Sequence, residues 1–410
     1  MKRIASIDIF RALTMLMMIF VNDFSGMGGL PHWLHHAATD EDMLGFSDLV
    51  FPAFLFCVGL SIPFAVGARY QKGDNALQVL GHVCSRSLAL IVMGIFSMNM
   101  RGVEGGLSRP VFTLLVIAGY FLVWNDYSRF RVKPGPERNE SLDHRERMTK
   151  DAKRHPGLDP GSLLRVLGIL LLTGLVIYKD VHGMPFRHGW WGILGLIGWA
   201  YLPCALAFVT LRGDFRKLWL FWLLTELLCV LNAVPAIPKE WSSRAVILGF
   251  WPGGWAHPLI CATGMVVAMH LVRCEGQTRK WRISSLSLAG SMLVLGLVSH
   301  RIWIISKNLA TPTWAFFCLA IFIVLFGLLH WVADVKGRTR WARPISPAGT
   351  ATLTCYMMPS IWYAVQQLAG FSWPSVLTNG IPGLLKALGF AFLMIGFTWL
   401  FTRIHLKLKI

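Results

Sequence analysis

Apolar runs of about 17 to 23 residues recur along the whole chain of 410 residues, and each is long enough to cross a bilayer as a helix. Lipid offers no hydrogen-bond partner to backbone amides, so a spanning segment must be a helix or part of a closed barrel. These runs are continuous rather than alternating, which selects the helix. The expected fold class is therefore all-α, a polytopic transmembrane helix bundle. Runs at 7–22, 47–68, 80–98, 107–125, 162–178, 189–211, 217–234, 254–272, 283–300, 311–332, 348–367 and 383–402 predict about 11–12 membrane-spanning helices. The first is short and contains Arg11, and the eleventh contains Pro359 and several polar residues.

Charge supplies the topology. Hydrophobic residues make up 55% of the chain and charged residues 15%, yet the net charge is +18. With the N-terminus set in the cytoplasm, 27 of the 39 Lys and Arg fall in inside segments and 8 in outside loops. Cytoplasmic loops collect basic residues, so this asymmetry predicts both termini inside and places the 23–46 loop outside. The bulk charge then needs no nucleic-acid partner. Residues 126–161 are long, polar and rich in Pro and Gly, and read as a cytoplasmic loop insertion within one domain spanning 1–410. The first run is interrupted by Asp8 and Arg11 and lacks a small-residue cleavage site, so it is expected to be retained. The eight cysteines contain no C-x-x-C pair and lie almost entirely in apolar runs, as small buried hydrophobes do. No histidine or acid pattern has metal-ligand spacing, and no metal is expected.

Residues 22–60 differ from everything around them. The stretch holds His32, His35 and His36, the acids Asp23, Asp40, Glu41, Asp42 and Asp48, and no Lys or Arg. A neutral imidazole beside a carboxylate is a good general base near neutral pH. Asp48 could cap the second helix or orient one of the loop histidines, and the two roles are compatible. An ordinary polar loop is the competing reading. On the first helix, Asp8 and Arg11 are three apart, and Asn22 follows Arg11 by almost three whole turns, about 16 Å along the same face. Charged groups inside a bilayer usually face a cavity or a partner. Arg86 falls at the cytoplasmic start of the third run, suited either to snorkelling or to binding phosphate. Glu226 lies deep in the seventh run, while His257, His270, His300 and His330 lie near run ends, where hydrogen-bonded interfacial histidines are common.

Three segments resemble a known family. SIDIFRALTMLMMIFVN (6–22), HHAATDEDMLGFSDLVFPAFLFCVG (35–59) and SRSLALIVMGIF (85–96) are similar to the opening blocks of the transmembrane acyltransferases of heparan-α-glucosaminide N-acetyltransferase type, including bacterial relatives. PAGTATLTCYMMP (347–359) is similar to a later helix of that family. The resemblance implies that His36, the histidine before Ala, is catalytic. Two extra residues separate it from D-L-V-F-P and no tryptophan follows it, which keeps His35 as an alternative. By the same correspondence Asn22 would bind the thioester carbonyl and its oxyanion, Asp48 would orient the histidine, and Arg11 or Arg86 would contact the donor's phosphate or hold helices together.

The implied activity is transfer of an acetyl group from cytoplasmic acetyl-CoA, as cosubstrate, to an amino sugar or hydroxyl of a glycan outside a bacterial inner membrane. The histidine would act as base or as a transient acetyl carrier. The resemblance also implies a homodimer. The alternative is a transporter or flippase for a glycan or lipid-linked sugar, which the polar first helix and Glu226 also fit.

Overall fold

The computed structural model describes residues 4–103, 106–128, 160–187, 189, 192–233, 251–275 and 277–410. Most of the 126–161 insertion lies outside the described residues. Each of the twelve apolar runs contains a helix among the described residues. In chain order they are α1 (Ala5–Phe24), α2 (Val50–Tyr70), α3 (Ala76–Met98), α4 (Arg109–Trp124), α5 (Pro160–Val181), α6 (Ile193–Thr210), α7 (Phe215–Ala233), α8 (Ala256–Arg273), α9 (Thr278–Ser299), α10 (Pro312–His330), α11 (Thr352–Leu368) and α12 (Gly380–Arg403). Among the described residues, nine of these helices are long and apolar enough to cross a membrane. The other three are α4 with 16 residues, α11 with 17, and α7, which carries Arg216, Lys217 and Glu226. The protein is a multi-pass, all-α membrane protein.

The chain forms two compact units. The first comprises Met1–Asn99, Arg187–Pro359 and Gly370–Trp399. Here α8 lies along α2, α3 along α6, and α9 along α10. The α2–α8 crossing is a close one. A Cβ at Gly59 would sit 1.9 Å from the Cys261 carbonyl oxygen, and one at Gly264 would sit 2.1 Å from that of Phe56. Backbones approach this closely in membranes because dispersion, with no hydrophobic drive between helices, rewards small residues at the contact. At the C-terminal end of α1, Met18, Val21, Phe24 and Met27 pack with Val50 of α2 and Ala387 of α12. Beside them Lys386 Nζ lies 2.6 Å from Asp23 Oδ2, with the two side chains only 9% and 4% exposed.

The second unit comprises Met100–Phe186, Ser360–Ala369 and Leu400–Ile410. Here α4 packs on α5, and the Tyr178 hydroxyl accepts from the Leu107 amide at 2.9 Å. The C-terminal segment pairs with the end of α4, where the Lys409 amide donates to the Trp124 carbonyl at 2.7 Å.

Two helix starts depend on capping. Ile4 gives α1 no side-chain cap. The cap comes instead from Asp334, whose carboxylate accepts from the Ala5 amide at 2.8 Å and the Ser6 amide at 3.0 Å. Asp334→Ala is expected to lower stability by about 1 kcal/mol, the usual worth of such a cap. Hydrogen exchange confined to Ala5–Asp8 would read it, and unchanged exchange there would refute the role.

The second case is a reciprocal capping box of Asn75 and Gln78, which starts α3 at Ala76. This moves Arg86 away from the cytoplasmic start expected from hydropathy. It stands ten residues in, about 15 Å along a helix of 23 residues.

Candidate active site

The 25–49 segment connects α1 to α2 at the end of the bundle reached by the C-terminus of α1. Glycines and Pro31 break the chain after Phe24, and two short 3₁₀ turns follow, His32–Leu34 and Phe46–Leu49. The second turn brings Asp48 back under the loop, where the Ser47 hydroxyl donates to the Leu34 carbonyl at 2.5 Å. Gly45 is needed for this return, since a Cβ there would lie 2.2 Å from the His35 carbonyl oxygen.

The result is a histidine–carboxylate pair. His36 Nδ1 lies 2.7 Å from Asp48 Oδ1, and the Ala37 amide donates to Asp48 Oδ2 at 3.0 Å. Asp48 is buried and His36 is open, their side chains being 3% and 37% exposed. The carboxylate makes no cap on α2; it turns toward His36 instead. With Nδ1 held there, Nε2 is left for chemistry. His35 is placed differently, its ring packed edge-on against Phe24 at 6.1 Å.

Lys307, from the loop between α9 and α10, closes the centre. Its Nζ lies 3.1 Å from His36 Nδ1 and 3.6 Å from Asp48 Oδ1. Burial pulls the Lys307 ammonium below the usual lysine range, and Asp48 opposes that. Sequence reading missed this residue. It stood as one of the few basic residues of the outer loops, and its partner is 271 positions away.

The same distant loop pins the histidine segment at further points. Asp42 accepts from the Ile305 amide at 2.8 Å and pairs with His300 at 2.8 Å. The Ile305 amide, and then His300, hold the Asp42 carboxyl below its usual range. The Ser306 hydroxyl donates to the Thr39 carbonyl, and the Asn308 amide nitrogen to that of Ala37. Within the loop, His32 meets Glu41 at 2.5 Å. The Trp314 indole donates to the Asp48 carbonyl at 3.4 Å, and His257 is buried between Phe51 and Trp314 with Nδ1 on the Gly253 carbonyl at 2.7 Å.

The remaining candidates are spread along the helices. Asn22 is exposed near the end of α1, its carbonyl accepting from Ser25, and it shares no hydrogen bond with the pair among the described residues. Arg11 is committed to Asp8 at 3.3 Å, to the Gly349 carbonyl at 3.3 Å and to Ser61 at 2.7 Å, so it ties α1 to α2 and to the turn before α11. Arg86 is less spent. Its guanidinium stands 5.0 Å from the Tyr201 ring centre, and its buried Nε has no hydrogen-bond partner.

Comparison with known proteins bears on the N-terminal third. The family described as Domain of unknown function (DUF5009) matches residues 3–135. Human heparan-α-glucosaminide N-acetyltransferase is 36% identical over 107 residues, covering 26% of this chain and 15% of that protein. The mouse enzyme is 35% identical over 107 residues, covering 26% of this chain and 16% of its own length. The similarity to these N-acetyltransferases extends over about a quarter of the chain. The chain thus matches about one sixth of the length of these curated relatives. Both His36 and Asp48 lie within the DUF5009 segment, whereas Lys307 lies far outside it.

Proposed function

We propose that this protein is a transmembrane acyltransferase. It would move an acetyl group from cytoplasmic acetyl-CoA to an amino sugar or hydroxyl of a glycan on the opposite side of the membrane. The observation that carries this reading is the buried Asp48 carboxylate set on Nδ1 of the exposed His36, in a chain related to an N-acetyltransferase. In this reading Nε2 of His36 takes the proton from the attacking N–H or O–H as the new bond to the acyl carbon forms. The carbon–sulfur bond breaks, and the proton passes to the departing thiolate. Asp48 holds the ring and stabilises its charged form. Asn22 would reach the acyl oxygen at the outer end of α1, where one placed donor contributes strongly to catalysis.

The two arginines differ as candidates for the donor's phosphate. Arg11 gives three hydrogen bonds to helix contacts, whereas Arg86 keeps a buried Nε–H without a partner, which suits phosphate. At the end of α1 opposite the histidine loop, a cleft of about 310 Å³ is lined by Asp8, Thr339, Arg343, Ser346 and Thr350, among others. The 20 residues of α1 separate the two ends by about 30 Å, a span suited to an extended donor with phosphates at one end and thioester at the other.

Acetyl-CoA is expected to raise the thermal midpoint of the purified protein in detergent. Slow release of CoA should follow when no acceptor is present. The stabilisation should shrink in Arg86→Met. No stabilisation at millimolar acetyl-CoA, in protein shown to be folded, would overturn the donor assignment.

A further inference from the structure

His36 Nδ1 has two neighbours with opposite demands. Asp48 Oδ1, at 2.7 Å, can only accept a hydrogen bond from it. The Lys307 ammonium, at 3.1 Å, can only donate one to it. An aromatic nitrogen satisfies one of these at a time. When Nδ1 carries the proton, Asp48 takes it and Lys307 is left with the carboxylate at 3.6 Å. When Nδ1 is bare, Lys307 takes the lone pair and the proton sits on Nε2.

We propose that Lys307 is a positioning residue of the His36 centre: by competing for Asp48 and for Nδ1, it opposes a second positive charge on the imidazole and selects which ring nitrogen carries the proton. This deepens the acyltransferase reading and rests on it only for its catalytic consequence. Like charges so close disfavour one another, and one buried carboxylate serves two cations worse than one. A base must be unprotonated to begin. A histidine paired with a carboxylate alone would hold its proton to higher pH.

Other titratable groups stand around the centre. Glu41, on the same loop, is bound by His32 and the Ala38 amide. Asp42 and His300 pair with each other. His257 on α8 and Cys318 on α10 are near enough to Lys307 to feel its charge. None of them lies between Lys307 and His36, so the competition belongs to these two and Asp48.

The test titrates His36 directly. Diethyl pyrocarbonate carbethoxylates unprotonated imidazole, and peptide mass mapping gives the rate at His36 as a function of pH. In Lys307→Met the midpoint is expected to move up by at least about one pH unit. In Lys307→Arg, which keeps the charge, it should stay near wild type. The acid limb of acetyl transfer should move with the midpoint.

An unchanged His36 midpoint in folded Lys307→Met would overturn the proposal, as would a loss of transfer with no movement of its acid limb. Should Lys307→Met fail to fold, Lys307→Gln takes its place with the same expected shift. The carbethoxylation readout needs no acyl donor, so failure of the acyltransferase reading would leave it intact and distinguishable.

Discussion

His36→Ala is expected to abolish acetyl transfer, by at least about 100-fold, while His35→Ala retains most of it. The argument is geometric. His36 alone of the two has a buried carboxylate on one ring nitrogen, and its exposed ring leaves the other available. His35 is packed against Phe24 and makes no contribution to that pair. Asp48→Asn should lose activity on a similar scale, because an amide can neither stabilise the imidazolium nor hold the tautomer. Thermal unfolding should separate the two variants. His36→Ala removes an exposed ring and should leave the midpoint nearly unchanged. Asp48→Asn alters a buried hub that also binds the Ala37 amide, and should lower it. Full activity in His36→Ala would remove the central role given to this residue.

Lys386→Met is expected to cost about 3–5 kcal/mol of stability, because it leaves the Asp23 carboxylate buried without its 2.6 Å cation. The double variant Asp23→Leu/Lys386→Met should recover most of that loss, since a buried ion pair exchanged for apolar groups of similar size is often neutral. Reversible unfolding in mixed detergent, read for both single variants and the double, closes the cycle. A loss in the double variant equal to the sum of the two single losses would show that the two charges are not coupled. The result bears on the site, since Asp23 fixes the α1 terminus that carries Asn22.

Different parts of this molecule were legible to different degrees. The helical runs were clear because lipid imposes one solution on a long apolar segment. The His36–Asp48 pair was legible because twelve residues separate its members, a distance a single returning loop closes. Lys307 was not, because nothing in a sequence marks which remote loop will lie over a site. Its only local signal was its rarity, a basic residue among few in the outer loops. The placement of Arg86 was readable but overlooked. Asn75 and Gln78 have capping-box spacing, and that pattern sets the helix start ahead of the point where hydropathy rises. Arg11 shows the reverse case. Its shared face with Asp8 was clear, but its bonds to Ser61 and Gly349 come from helices that only the fold brings near.

The cap on α1 has a consequence for biogenesis. The amino end of α1 is closed by an aspartate synthesised 329 residues later. Until that residue is made, the leading amides of α1 have only water or lipid headgroups to bond. The nascent bundle therefore stays unlatched at that corner until α10 arrives. Chains released before Asp334 would carry every residue of the His36 centre, yet present to quality-control proteases an α1 that is still open at its start.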